Sequence, residues 1–95
     1  MELTHDADAD ALYIRLRDVP YAFGQMLDLD RNIDFGADEQ PIGIELLGVS
    51  HGVNVAGLPE ADEVARLLAE NNIVPTILLA KDKPSKPRPT GAVAR

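Results

Sequence analysis

Residues 11–17 read Ala-Leu-Tyr-Ile-Arg-Leu-Arg. Leu12, Ile14 and Leu16 fall on one side of an extended chain, and Tyr13, Arg15 and Arg17 on the other. Period-2 alternation of this kind marks a strand buried on one face. Ile42, Ile44 and Leu46 repeat the pattern against Gly43, Glu45 and Leu47. Leu46 and Leu47 side by side put apolar groups on both faces, which fits a strand covered by a helix on one side and a second subunit on the other. Gly48 ends or bulges that strand.

Working outward, residues 2–5 suit a short strand and the aspartate-rich residues 6–10 a turn, because aspartate caps backbone N–H groups. Asp18-Val19-Pro20 stops the second strand, since proline cannot donate to a ladder. Residues 21–29 resume a strand pattern, with Phe23, Leu27 and Leu29 in phase and Gln25 interrupting them. Asp30-Arg31-Asn32 suggests a tight hairpin into a third strand carrying Ile33 and Phe35. Residues 36–41 are a loop by composition, and residues 49–58 a connection.

Pro59 suits the first position of a helix, where its missing N–H costs nothing. Glu60, Asp62 and Glu63 then favour the positive end of the helix dipole. Ala61, Val64, Ala65 and Leu68 have the spacing of one buried helical face, with Leu67 beside them. Asn71-Asn72 can cap the helix, and Pro75 stops it. Residues 73–79 are apolar and β-prone, as an edge strand or a segment exchanged between subunits. The fold expected is α+β: a small antiparallel β-meander of four or five strands with one amphipathic helix on one face.

Composition bounds the rest. Ninety-five residues make one domain. Residues 1–80 form it, and residues 81–95 read as a flexible, basic, proline-rich tail. At roughly 0.05–0.15 kcal/mol per residue, about 80 folded residues yield about 4–12 kcal/mol. No cysteine is present to staple so small a core, so a homodimer is expected. Residues 81–95 hold five basic side chains against one acidic, a net of +4; residues 1–80 hold four against fifteen, a net of −11. So acidic a domain repels phosphate backbones, and no nucleic-acid partner is expected. Solubility or a basic protein partner accounts for the charge. No apolar run reaches the ~18 residues of a membrane span. The opening residues lack the basic and apolar regions of a secretion signal. A cytoplasmic location is therefore expected.

The candidate polar site is Asp6, Asp8, Asp10, Glu45 and His51. Asp6-x-Asp8-x-Asp10 resembles the start of a calcium loop, but the glycine and glutamate that such a loop needs are replaced by Ala11 and Arg17. A capped turn is the plainer reading. Asp28, Asp30, Asp34, Asp38 and Glu39 form a second acidic run; paired carboxylates can share a proton or cation, or line a solvated face. Ser50-His51 lacks the G-x-S-x-G elbow of a nucleophile, and His5 stands alone. No glycine motif for nucleotide binding occurs. No cofactor or metal is expected. Pro84 and Pro87 meet the bare P-x-x-P spacing of a proline-rich ligand.

The stretches HDADADALYIRL (residues 5–16) and IDFGADEQPIGIELL (residues 33–47) resemble a prokaryotic family, domain of unknown function 2283. Asp6, Ala9, Asp10, Ala11, Leu12, Tyr13 and Ile14 carry the first match; Ile33, Asp34, Gly43, Ile44, Glu45 and Leu47 carry the second. His5 stands where the family has tyrosine, and residues 36–41 lack its aspartate-glycine turn. The resemblance implies a small sheet-and-helix domain and hints at an antitoxin role. It raises Asp10 and Glu45 as a shared polar site; structurally, Asp10 would cap its turn and Glu45 would pair with Arg15 or Arg17. The leading expectation is a non-catalytic, homodimeric protein-interaction module, with neutralisation of a small basic toxin as its specific form. The competing expectation is a small-ligand or metal-dependent enzyme, in which Asp10, Glu45 and a histidine would converge in a pocket.

Overall fold

A computed structural model describes residues 1–73 and 75–76. Five antiparallel strands form the main sheet: β1 (Glu2–Asp6), β2 (Ala11–Arg15), β3 (Phe23–Asp28), β4 (Arg31–Phe35) and β5 (Pro41–Leu47). Their order is β1-β2-β5-β4-β3. The meander therefore runs through β3, β4 and β5, and the β1–β2 hairpin adds to its far side. β5 lies between β2 and β4, with Ile44 opposite both Ile14 and Ile33. A single 3-10 turn (Val49–His51) leads to β6 (Val53–Asn54), then to α1 (Ala61–Glu70). The described part of residues 73–79 includes β7 (Pro75–Thr76), which pairs in parallel with β6 of the same chain. The expected domain boundary near residue 80 and the tail of residues 81–95 lie outside the described residues.

The alternation read from residues 11–17 and 42–47 is the core. Leu12, Ile14, Ile44 and Leu46 are buried against Val64 and Leu68 of α1 and against Val49, Val53, Val55 and Leu58 of the connection. Ala61, Ala65 and Leu67 pack at its margin. One face of the helix thus covers the β2–β5 half of the sheet. The helix ends as its two asparagines suggest. Asn72 adopts a left-handed φ of 61°, its N–H donates to Ala69, and the Ile73 N–H donates back to Leu68. This doubled bond seats Ile73 against the core beside Leu68.

Four local expectations are corrected. α1 begins at Ala61, not Pro59, because buried Leu58 anchors the chain just upstream and Glu60, left-handed at φ 53°, turns it into the helix. β2 stops at Arg15, since the Leu16 and Arg17 N–H groups both donate to the Ile42 carbonyl and end the regular register. The β3–β4 turn falls at Leu29-Asp30. Arg31 is already in β4, where its guanidinium donates to the Asn54 and Ala56 carbonyls and pairs with Asp28. Phe23, Leu27 and Leu29 form no buried face: all of β3 is exposed, and a bulge between Met26 and Asp28 breaks the alternation.

Ile44 is fully buried at the centre of three strands. Ile44→Ala removes methyl groups that no neighbour can replace. It is expected to cost about 2–5 kcal/mol, measurable as a lowered midpoint of denaturant unfolding.

Candidate interaction surface

The five expected site residues do not meet. Asp6 caps the first turn, accepting from the Ala9 N–H at 3.1 Å, and Asp8 is exposed in that turn. Asp10, left-handed at φ 54°, does not cap it. Its carboxylate reaches the 3-10 turn instead, accepting from the Ser50 N–H at 2.9 Å and the Ser50 hydroxyl at 2.7 Å. Those bonds favour the ionised form and hold the Asp10 carboxyl below the ordinary aspartate range. A carboxylate so stabilised is a weak base, and the Ser50 proton is committed to it rather than to a histidine. The clasp joins the β1–β2 turn to the chain after β5.

Asp10 lines a shallow depression with His5 and Ser50. His51 lines a separate groove of about 480 Å³ with Asp28 and Asp30. Glu45 lies on the outer face of the sheet, opposite Tyr13 and Asn32. The expected pairing of Glu45 with Arg15 or Arg17 is replaced. Arg17 grips Asp38 through two parallel bonds of 3.0 and 3.1 Å and also donates to the Pro41 and Gln40 carbonyls, while the Arg15 guanidinium sits 6.0 Å from the Tyr13 ring centre. The Arg17 fork holds the Asp38 carboxyl below its usual range and secures a loop in which Glu39, at φ 65°, takes the position that suits glycine. Among the described residues, no three histidine, aspartate or glutamate side chains gather within reach of one metal ion.

What the structure does assemble is the outer face. The Tyr13 side chain crosses Gly43 so closely that a Cβ there would fall on its hydroxyl. The phenol then donates to Asp34 at 3.0 Å, and the Asn32 amide donates to the other oxygen at 2.9 Å. Burial, and next the bond to Asp34, raise the Tyr13 phenol above its ordinary range. Beside this polar shelf lies a depression lined by Met26, Leu29 and Leu47 and by Asp28, Asp30, Arg31, Asn32 and Glu45, with Arg31 paired to Asp28. Leu29 is 84% exposed and Met26 63%. Neither part was legible beforehand. The approach of Tyr13 to Asp34 depends on the β2-β5-β4 order, and the sequence signal for it is Gly43 itself, since a glycine inside a strand marks a close approach.

The family model described as Protein of unknown function (DUF2283) matches residues 3–50, which span all five strands of the sheet. No curated protein and no solved structure matches the chain. Among the described residues, no helix is long and apolar enough to cross a membrane. The matched segment covers half of the chain, and the chain belongs to the DUF2283 family.

Two substitutions probe this geometry. Gly43→Ala must displace the Tyr13 ring from Asp34; it is expected to cost about 1–3 kcal/mol and to lower the tyrosinate transition at 295 nm. Pairing it with Tyr13→Ala should recover most of the lost stability. Asp10 has a lowered folded pKa, so its contribution is present above the unfolded value of about 3.9 and is lost as pH falls through the folded value. Ser50→Ala is expected to raise the Asp10 midpoint in a carboxyl NMR titration toward the unfolded value, so that the contribution shrinks and its loss is complete at a higher pH.

Proposed function

We propose that the protein is a non-catalytic interaction module that docks a basic protein partner on the outer face of its sheet. The depression of Met26, Leu29 and Leu47 carries this reading: Arg31 also lines it but is matched by Asp28, so Asp30 and Glu45 leave it net negative. Apolar side chains this exposed, rimmed by charge, have the composition of a docking patch. Apolar contacts there supply affinity, and the carboxylates steer a cationic segment and select it by sign.

The wider charge supports the same direction. Three of the fifteen acidic side chains in residues 1–80 pair with arginine: Asp28, Asp38 and Glu63. The other twelve have no cationic partner among the described residues, leaving a field that attracts a basic surface. The antitoxin-like role, neutralisation of a small basic toxin, is one form of this function. The convergence that the enzyme reading requires is not formed: Asp10 has His5 and His51 near it, but Glu45 lies apart on the outer face of the sheet.

Affinity capture from native lysate at low and high salt, with mass spectrometry, checks the proposal. A basic protein retained at low salt and released at high salt is expected. The exposed pair Asp30→Lys/Glu45→Lys should lose that partner at least tenfold while unfolding within about 0.5 kcal/mol of the parent. Equal retention by parent and variant would contradict the proposal.

A further inference from the structure

One edge of the sheet is left open in an unusual way. β3 is six residues long, and every one of them is exposed. Among the described residues, its only strand neighbour is β4. The other edge, β1, carries Glu2, Thr4, His5 and Asp6, the polar and charged side chains that discourage strand addition. β3 reads Phe-Gly-Gln-Met-Leu-Asp and has no charge before Asp28. Its unpaired backbone groups run beside exposed apolar side chains, with Phe23 at 41%, Met26 at 63% and Leu27 at 40%. Phe23 stacks on Phe35 with ring centres 5.0 Å apart, so the start of the edge presents an aromatic surface. Neither a proline, a lysine nor a covering loop protects this edge among the described residues. The β3 bulge lies only at its Asp28 end.

We infer that β3 pairs with β3 of a second copy of this chain, antiparallel about a two-fold axis, joining two five-stranded sheets into one of ten strands. The inference rests on the reading of the protein as an interaction module and names a second contact on it. Charge selects the occupant. Over most of its surface an acidic chain repels its own copy, but residues 23–27 carry no charge to oppose contact. The one acidic group of β3, Asp28, is already compensated by Arg31 at 2.9 Å. A basic partner gains nothing electrostatically from this strand, whereas a copy meets like with like: apolar side chains opposite apolar, and free backbone N–H groups opposite free carbonyls. The pairing sets the two outer-face depressions on one continuous sheet, with Met26 at the margin between each depression and the seam.

The chain has no cysteine, which allows a direct test on the full-length protein. Light scattering of the parent is expected to give twice the 10.3 kDa chain mass. Met26→Lys/Leu27→Lys should halve that mass while keeping the parent's circular dichroism, since both side chains are exposed. Gln25→Cys, near the middle of β3, should form a disulfide-linked dimer under mild oxidation, whereas Thr4→Cys on the β1 edge should not. A monomeric parent overturns the inference, whether the edge is then empty or covered by the chain's own residues 77–95. A dimer that survives the double lysine variant, or that cross-links through Thr4→Cys instead, also overturns it. Partner capture distinguishes the two ideas: a monomeric parent that still retains a basic protein defeats the β3 pairing alone, and a β3-paired dimer that retains none defeats the basic-partner reading alone.

Discussion

Everything in this fold depends on β5 being central and two-sided. Its inner residues Ile44 and Leu46 are buried under α1 and the connection. Its edges are occupied by β2 and β4, and Gly43 on its outer face leaves room for Tyr13. With about 0.8 kcal/mol for each buried methylene, the inner-face aliphatics are the main source of stability in a chain without disulfides. Removing β5 would separate the β1–β2 hairpin from the β3–β4 hairpin, and neither could stand alone.

The two faces of β5 divide the work. The inner face binds the sheet to the helix. The outer face fixes Tyr13, Asn32 and Asp34 into one hydrogen-bonded group and leaves Met26, Leu29 and Leu47 exposed beside it. The residues that carry the family resemblance fall on both sides of that division. Leu12, Ile14, Ile33 and Ile44 are buried, Tyr13, Asp34 and Gly43 form the outer contact, and Asp6 and Asp10 hold turns. Their local roles are structural.

Strands with strict alternation were legible in the sequence because burial on one face imposes period 2. The helix was legible because its stripe and its asparagine cap agree. β3 is the exception: an edge strand uncovered on both faces has no burial to impose a pattern, so the in-phase spacing of Phe23, Leu27 and Leu29 corresponds to no buried face. Pro59 does not mark the helix start, because the anchoring of Leu58, a tertiary effect, sets where the helix begins. The site was the least legible part. Asp10 bonds to Ser50 forty residues away, and Arg17 to Asp38 across a loop; sequence spacing reveals neither until the strand order is known.

The closed inner face and the proposed pairing of β3 with a second copy both leave a signature in backbone exchange. Amide hydrogen exchange of the full chain, followed strand by strand at several protein concentrations, tests this most directly. The account predicts that β5 exchanges slowest at every concentration, that β1 exchanges fast throughout, and that protection of residues 23–28 rises as the protein is concentrated. Exchange in residues 23–28 that matches β1 and ignores concentration would contradict it.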